Sequence, residues 1–459
     1  MENTPLDDRR IGLLLFKLSL PAFIGMFSMT IYNIVDTIFV GHWVGSEGIG
    51  ALSLVLPLQM FFVGVGQMIG LGASSIISRS IGARDLKRAH FALENAFLET
   101  LFLSGCFLLL GVWKKDWLSL VLGASPVLFP YVRDYLGVII LGSFVQVAPL
   151  VFGSLIRAEG NAIVPAISMV GGALLNIGFD ALFVIKMNLG VKGAALATVL
   201  SQIVSTVWLF SYYLFGKSFV KLHLWALKPH KDVLFEMNAL GVSAFLRTLA
   251  GSFSAVIINR MAILYGGDLA VSAFGILNRL AQSAIMPIMA LGQGLMPVLG
   301  FNYGASRPKE AFKSICLSLL ASEMICGFVF LLIFFWPEPF IKIFTSEDEL
   351  IAITHFASKR MFSAFYLVGF AIVGSFIFQA MGKALEAFIT SISRPLLFTI
   401  PSVLLLSKFM GIQGVWLTFP IADVLTTFLT LTLLFPHLKE LKNLKNKNYV
   451  EKFSKQNTK

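Results

Sequence analysis

The chain has 459 residues, of which 57% are hydrophobic and only 13% are charged, and its mean hydropathy is +0.82. This apolar content exceeds what one soluble core of this length requires, which excludes a soluble globular enzyme and indicates a membrane protein. The first residues, MENTPLDDRR, carry both signs of charge, and we expect no cleavable signal peptide because no small-residue cleavage pattern follows them.

Long apolar segments follow one another along the whole chain. About 20 apolar residues cross the hydrocarbon core as a helix. Tiling the sequence on this basis leaves no room for a soluble catalytic domain and predicts an all-α integral membrane protein with twelve transmembrane helices. The predicted spans lie near residues 14–44, 49–78, 92–113, 128–156, 162–185, 192–215, 239–265, 271–301, 314–336, 352–381, 385–407 and 412–435.

Basic residues fall on one side of this predicted topology. With the N-terminus in the cytoplasm, 23 lysines and arginines lie at cytoplasmic positions and only 6 lie in the opposite loops. This asymmetry satisfies the positive-inside rule, so we expect a multi-pass protein of the cell membrane with both termini cytoplasmic. It also accounts for the net charge of +11 without nucleic acid as a partner. Residues 439–459 form a basic cytoplasmic tail whose lysines suit contact with anionic lipid.

The two halves of the sequence resemble each other. GLGASSIISRSIGARDLKRA at 70–89 aligns with GQGLMPVLGFNYGASRPKEA at 292–311, a separation of 222 residues that also aligns Gly45 with Gly267. Six helices per copy give both copies the same orientation in the membrane, and parallel repeats of this kind usually enclose a central site. We therefore predict two pseudo-symmetric lobes, residues 1–225 and 226–438, around a cavity that opens alternately to each side. An old duplication without moving parts is the alternative.

One aspartate interrupts the first apolar helix. The segment NIVDTIFVGHWVG at 33–45 contains Asp36, and Tyr32 and Asn33 lie one helical turn before it on the same face. A carboxylate at this depth costs at least about 2.5 to 3.5 kcal/mol on insertion scales. We therefore expect Asp36 to face a cavity.

A second aspartate lies in the fifth predicted helix, where Asn176 and Asp180 are four residues apart in LLNIGFDALF and share a face. Together with Asp36 and Asn33 they are expected to form a compact site for a proton or a small cation. Desolvation and like-charge proximity disfavour the second negative charge, so one carboxyl is expected to load and release a proton near physiological pH. The alternative is that each aspartate is structural, capping a broken helix or pairing with a nearby donor.

The second half does not repeat this acidic pair, because Asp36 aligns with Ile258 and Asp180 with Ser402. It carries instead four arginines within or near predicted spans, with Glu323 and Asp423 as candidate partners. These arginines are Arg247, Arg260, Arg279 and Arg394. An arginine buried in a helix bundle needs an anion or a group of carbonyls, whereas one near the interface can extend to water.

A few residues are candidates for the wall of the central cavity. Tyr32, Glu99, Arg260 and Arg279 are polar residues in or near spans. The chain also has 43 phenylalanines and 16 methionines, some of which must line the centre. Aromatic faces attract organic cations and methionine adapts to irregular shapes, so such a cavity suits bulky organic cations and amphiphilic drugs.

Sequence signatures of enzymes are missing. LFGKS at 214–218 ends like a phosphate-binding loop, but Ser211 stands where the first glycine is required. There is no HExxH or GxSxG, and Cys106, Cys316 and Cys326 have no CxxC spacing. We therefore expect no enzymatic activity, no metal site and no cofactor, and a transport reaction driven by an ion gradient.

Several segments together resemble the multidrug and toxic compound extrusion (MATE) family, especially its DinF-like branch. They include LSLPAFIGMFSMTIYNIVDTIFVGHWVG near the start, GLGASSIISRSIGAR, RAEGNA, ALLNIGFDALFV and GGDLAVSAFGILNR, in the order and spacing of the family. The resemblance implies a coupling-ion role for Asp36 and for the pair Asn176 and Asp180. It also implies that Pro21 bends the first helix when the aspartate is protonated, although a proline tolerated near a helix start is the alternative.

These observations predict a secondary active transporter that exports organic, often cationic compounds by proton antiport, acting as a monomer among membrane lipids. Sodium-coupled members of the family carry acidic residues on helices 7 and 10, and this chain has none at matching positions, which favours protons over sodium. Sodium-coupled drug export stays an alternative, because the carboxylates and amides of the first half also suit a sodium ion. A flippase for a lipid-linked anionic substrate is one rival, favoured by the arginines of the second half. A receptor or scaffold that transports nothing is another.

Overall fold

A computed structural model describes residues 5–216, 218–221 and 227–456, and every regular element in these ranges is helical. Sixteen α-helices follow one another along the chain. They are α1 Ile11–Trp43, α2 Ser46–Gly82, α3 Leu86–Trp113, α4 Lys115–Val121, α5 Phe129–Leu141, α6 Ser143–Ala158, α7 Ile163–Asp180, α8 Gly190–Phe215, α9 Lys231–Gly304, α10 Pro308–Phe335, α11 Pro337–Ile341, α12 Asp348–Met361, α13 Val368–Ala380, α14 Ala384–Ile392, α15 Ile400–Met410 and α16 Ile412–Gln456. Two π-helical segments, Ala181–Lys186 and Ser393–Thr399, continue α7 and join α14 to α15.

The described helices account for twelve spans. Nine stretches are long and apolar enough to cross a membrane, and two bent pairs, Phe129–Leu141 with Ser143–Ala158 and Asp348–Met361 with Phe365–Ala380, bring the number to eleven. The longest stretch, α9, breaks at Gly267, whose φ of 70° lies in the left-handed region. This break divides α9 into two spans and gives the twelfth.

The duplication is visible in the backbone of the turns. Gly45 and Gly267 both have positive φ, as do Arg84 and Ser306, and Gly160 and Gly382. Each pair is separated by the same 222 residues that align the two halves of the sequence. Because positive φ is strained for most residues, its recurrence at Arg84 and Ser306 shows that the repeated turns keep one geometry even where glycine is absent.

Packing divides the chain into two compact units. Unit 1 comprises Met1–Asp7 and Leu20–Phe245, and unit 2 comprises Asp8–Ser19 and Leu246–Lys459. The start of α1 therefore belongs to unit 2, and the first turns of α9 belong to unit 1. The predicted lobes, residues 1–225 and 226–438 with a tail at 439–459, stay a prediction.

Within unit 1, α9 begins by packing backbone to backbone against α2. A Cβ atom added to Gly241 would lie 1.9 Å from the carbonyl oxygen of Met68, and one added to Gly72 would lie 2.1 Å from that of Met237. Small residues at facing positions let helices approach this closely, which is a common way of joining helices in membranes.

Large apolar side chains remain exposed on the outer surface. Phe215 is 87% exposed, Leu109 73% and Phe102 68%. Exposed apolar area of this extent is unfavourable in water but matches the hydrocarbon of a bilayer.

Candidate functional site

Two carboxyl groups lie buried inside unit 1. Asp36 is 7% exposed in the second half of α1, and Asp180 is fully buried at the end of α7. The two carboxyls interact electrostatically with each other. Asp180 directly precedes the π-helical segment Ala181–Lys186, a local widening of the helix that often occurs at functional sites. We call Asp36 and Asp180 the acid pair.

The side-chain amide of Asn176 lies within hydrogen-bonding distance of Asp180 in the acid pair. In the orientation that satisfies both ends of the amide, its nitrogen donates to Oδ2 of Asp180 at 3.2 Å and its oxygen accepts from the backbone N–H of Thr198 at 3.2 Å. The reverse orientation would turn the amide oxygen toward the carboxylate and leave only a long bond of 3.4 Å to the Thr198 hydroxyl. The four-residue spacing within α7 and the proximity of α8 together produce this arrangement.

Two tyrosines complete the surroundings of the acid pair. Tyr32, on α1, and Tyr135, on α5, both interact electrostatically with Asp36 and with Asp180. The Tyr135 hydroxyl accepts a hydrogen bond from Nε2 of Gln59 at 3.1 Å. Residues from α1, α2, α5, α7 and α8 thus converge on one place.

Three residues of the site, Tyr135, Gln59 and Thr198, are not among those predicted from the sequence. Tyr135 follows two charged residues in YVRDYLG, which indicates an interface and not a buried site. Thr198 could have been found from the sequence, because Thr198, Ser201 and Ser205 recur at helical spacing. All three are buried on α8. That pattern predicts a polar face directed inward.

Each carboxyl of the acid pair has one oxygen without a hydrogen-bond donor among the described residues. These atoms are Oδ1 of Asp36 and Oδ1 of Asp180, both buried. An unsatisfied buried oxygen is costly, and two ionised carboxylates close together are more costly still. The arrangement can therefore hold a proton or a small cation between α1 and α7.

The other predicted site residues have different surroundings. The Asn33 side chain is exposed and forms no described hydrogen bond with Asp36. Glu99 accepts a hydrogen bond from Nδ2 of Asn238 at 3.2 Å, so its described contact is with the start of α9. Arg260 and Arg279 are exposed, and their side chains form no hydrogen bond or ion pair with the described residues. Pro21 lies inside α1, two residues past the boundary at which α1 passes from unit 2 to unit 1.

The other two arginines named above, Arg247 and Arg394, form contacts within unit 2. Arg394 donates from Nε to Oδ1 of Asp423 at 2.6 Å. Arg247 donates from Nη1 to the Ser375 hydroxyl at 3.1 Å and lies over the ring of Phe376, 5.2 Å from its centroid.

The sequence model of the MatE family matches residues 21–182 and, a second time, residues 244–405, one match in each half of the chain. This chain belongs to the MATE family. The chain is therefore a multi-pass membrane transporter and not an enzyme, and the predicted family and fold class are confirmed. Its assignment to the DinF-like branch stays a prediction.

Similar proteins and structures cover almost the whole chain. The multidrug export protein MepA of Staphylococcus aureus is 26% identical over 419 residues, which are 91% of this chain and 92% of that protein. MepA of Staphylococcus haemolyticus is 26% identical over 438 residues, 95% of this chain and 94% of that protein. A multidrug resistance MATE family transporter in an outward-facing conformation has 25% identity and a TM-score of 0.88, with 96% of this chain and 97% of that chain covered.

Two further similar structures are of MATE in a straight and in a bent conformation. Each structure is 26% identical to this chain with a TM-score of 0.88, and the coverage is 96% of this chain and 98% of that chain for the straight one and 95% and 97% for the bent one.

Proposed function

We propose that this MATE transporter exports organic, mostly cationic compounds in exchange for protons, and that the acid pair carries the exchanged proton. The observation that supports this most is the burial of Asp36 and Asp180 together in one unit, each with an oxygen to which none of the described residues donates. The relatives in two Staphylococcus species are multidrug export proteins, which supports drugs as the substrate class.

With a proton as coupling ion, Asn176 has a defined part in the proposed site. We assign its amide the orientation in which the nitrogen donates to Asp180, because the oxygen then accepts from the backbone N–H of Thr198. A sodium ion needs oxygen ligands, whereas a carboxylate that loses its proton is stabilised by a donating N–H group. We therefore assign Asn176 the role of stabilising the deprotonated form of Asp180, and Asn33 a role in hydrating the outer side of Asp36.

Proton binding must favour one conformation of the transporter over the other. A difference of a few kcal/mol in proton affinity between the two states is sufficient to shift their populations. Pro21 removes one backbone hydrogen bond from α1 close to the place where α1 changes packing unit. We propose that α1 bends there when Asp36 is protonated. That similar MATE structures exist in a straight and in a bent conformation supports a conformational change of this kind.

The substrate is proposed to bind near Tyr32, because an aromatic face beside two carboxyls attracts organic cations. Arg260, Arg279 and Glu99 are proposed as further cavity residues that discriminate among substrates by charge. The transporter is proposed to act as a monomer in the cell membrane, with both termini in the cytoplasm.

Dye efflux from inverted membrane vesicles tests the proposed function. We expect a pH gradient to drive export of a lipophilic cationic dye in the wild type and a sodium gradient to have no effect. Asp36→Asn and Asp180→Asn should each abolish the pH-driven export, because neither asparagine can exchange a proton. Asp116→Asn is the matched control, since Asp116 is an exposed aspartate paired with Arg133 at 2.7 Å.

Two outcomes would overturn this proposal. If a sodium gradient alone drove export, sodium and not the proton would be the coupling ion. If a variant in which both aspartates of the acid pair are replaced still exported fully under a pH gradient, the acid pair would have no role in coupling.

A flippase for a lipid-linked anionic substrate is the second candidate. Arg247 favours it, because its Nη2 atom is buried and has no hydrogen-bond partner among the described residues, as an anion-binding arginine would before its ligand arrives. Arg247→Gln separates the two functions. It should leave cationic dye export intact in a drug exporter, and it should abolish translocation of a fluorescent lipid-linked phosphate in a flippase.

A further inference from the structure

A cavity of about 270 Å³ opens on the surface of unit 1. It lies where α3 ends and α8 begins, with α5 and the start of α4 as its other sides. Helix ends in a membrane protein lie near the surface of the bilayer. With both termini in the cytoplasm, as proposed, α3 ends and α8 begins on the outer side, so the cavity lies at the outer leaflet. We call it the outer cavity.

Two exposed tryptophans lie close in the chain to residues that line the outer cavity. Trp113 follows the lining residue Val112 and is 74% exposed, and Trp117, on α4, is 60% exposed. The ammonium of Lys114 lies 4.2 Å from the centre of the Trp113 ring. Exposed tryptophan is typical of the level of the lipid headgroups, where an aromatic ring meets both hydrocarbon and water. The outer cavity therefore opens at headgroup depth.

The lining of the outer cavity changes from basic to apolar with depth. Arg133 lies one turn into α5, whereas Leu141 is eight residues further along, about 12 Å deeper in a straight helix. Leu141 is 68% exposed and Val112, on α3, is 57% exposed, so both offer apolar surface to a ligand. A Cβ atom added to Gly111 would lie 2.6 Å from Cγ2 of Ile140, so α3 and α5 pack tightly at this wall. The outer cavity thus has a basic rim and an apolar wall.

The rim of the outer cavity carries an excess of positive charge. Three basic residues line it, Lys115, Arg133 and Lys192. The lining contains one carboxylate, that of Asp134. Among the ion pairs of the described residues, only that of Arg133 with Asp116, at 2.7 Å, includes a residue of this lining. The two aspartates thus balance two of the three cations, and a ligand with a single negative charge would balance the third.

The position of Lys115 and the scarcity of basic residues on this side give the rim its significance. Lys115 is half-buried, and a Cβ atom added to Gly137 would lie 3.5 Å from its Cδ and 3.6 Å from its Nζ, so the side chain runs along the backbone of α5. Lys114, Lys115 and Lys192 are also half of the six basic residues that the topology places in the outer loops. Their gathering beside one cavity is not a consequence of the positive-inside rule, which depletes this side.

We propose that the outer cavity binds an anionic phospholipid of the outer leaflet. Its phosphodiester, which carries one negative charge, lies between Lys115 and Lys192, and one acyl chain passes over Val112 and Leu141. A zwitterionic lipid would bring its own cation to a rim that already has an excess of positive charge. A free phosphate would leave the apolar wall uncovered. The proposal goes beyond export and holds whichever ion drives it.

Native mass spectrometry of the purified full-length protein tests this site. Phosphatidylglycerol or phosphatidylcholine is added in equal amounts, and the lipids that stay bound are counted. We expect the wild type to retain one phosphatidylglycerol more tightly than any phosphatidylcholine. Lys115→Gln combined with Lys192→Gln should weaken that binding roughly 25-fold, about fivefold for each lysine. The matched control is Lys342→Gln combined with Lys408→Gln, two lysines of the outer loops that do not line the cavity.

Three results would overturn the proposal. Equal losses in the two double variants would mean that surface charge alone attracts the lipid. Equal retention of phosphatidylcholine would exclude recognition of the negative charge. Displacement of the lipid by glycerol phosphate at the same concentration would make the occupant a soluble anion, because glycerol phosphate has the phosphate and no acyl chain.

A variant of the apolar wall tests the site without changing its charge. Leu141→Ser keeps every basic residue of the rim, and we expect it to weaken phosphatidylglycerol binding because the acyl chain loses apolar contact. Unchanged affinity in Leu141→Ser would contradict a lipid as the occupant. Melting temperatures without added lipid should equal that of the wild type in the lysine variants, since lysines at the surface contribute little to stability.

Discussion

The close contact between α2 and the start of α9 predicts how much stability the protein loses when a methyl group is added there. A Cβ atom added to Gly241 would lie 1.9 Å from the carbonyl oxygen of Met68, whereas ordinary van der Waals contact begins at 3.4 Å. The shortfall is about 1.5 Å, and the obstacle is backbone that cannot rotate away. Gly241→Ala must therefore push the two helices apart, and overpacking of this kind costs about 1 to 3 kcal/mol.

A control on the same helix removes the intrinsic effect of alanine. In the part of the chain that the structure describes, no atom lies within 4 Å of a Cβ added to Gly251. Gly251→Ala should therefore be neutral or should stabilise α9 by up to about 1 kcal/mol through helix propensity. We expect thermal unfolding in detergent micelles to show a lower melting temperature for Gly241→Ala than for Gly251→Ala.

The reciprocal contact, between Gly72 and Met237, tests whether backbone crowding causes the loss of stability. Gly72→Ala meets the carbonyl oxygen of Met237 at 2.1 Å, so it should destabilise by a similar amount. The double variant with Gly241→Ala should lose less than the sum of the two, because the first alanine has already separated the helices. If Gly241→Ala melted at the same temperature as Gly251→Ala, the inferred backbone contact would be wrong.

Two further predictions concern one buried and one half-buried glutamate of unit 1. Burial raises the pKa of Glu159 to about 7 from 4.5, against the opposing effect of hydrogen bonds from Phe219 N–H and Ser218. A raised carboxyl pKa means that the folded protein binds more protons than the unfolded chain between about pH 4.5 and 7. Stability relative to Glu159→Gln should therefore fall by about 3 kcal/mol as pH rises through that window and stay constant above it, as melting at several pH values would show; a pH-independent difference would contradict this. Glu236 pairs with Arg79 at 2.8 Å and also with Arg88, so Glu236→Gln should cost about 1 to 2 kcal/mol and less at high salt, whereas the exposed Glu338→Gln should cost under about 0.5. Equal melting temperatures of these two variants at low salt would refute the role of that ion pair.

Much of the fold follows from local sequence patterns. Apolar runs of about 20 residues predict spans because each buried backbone group in a bilayer must be satisfied within its own helix. The repeat also follows from sequence, since Gly45 and Gly267 mark the same turn in both halves, as their positive φ values show. The bends that divide the fourth and tenth spans, of 51° and 46°, were not predicted, because they arise from packing between helices and not from an apolar period.

The two acidic residues of the site could be predicted from the sequence, whereas the residues around them could not. Asp36 and Asp180 stood out because a carboxylate in an apolar helix is costly wherever that helix packs. Tyr135 and Gln59 lie on other helices, and no local pattern in either segment indicates the hydrogen bond between them. Glu99 was predicted only as a candidate for the cavity wall, and its hydrogen bond with Asn238 joins two helices that no local pattern relates.

The sequence by itself determined the membrane environment, the number of spans, the duplication and the two buried acids, because each depends on the composition or periodicity of one segment. Only the tertiary structure decided that the Asn176 amide donates to Asp180 and that Arg394 pairs with Asp423. These contacts join residues on different helices or depend on the orientation of one side chain. The physical reason is that almost every face of these helices is apolar, so hydrophobic pattern alone does not specify which faces meet.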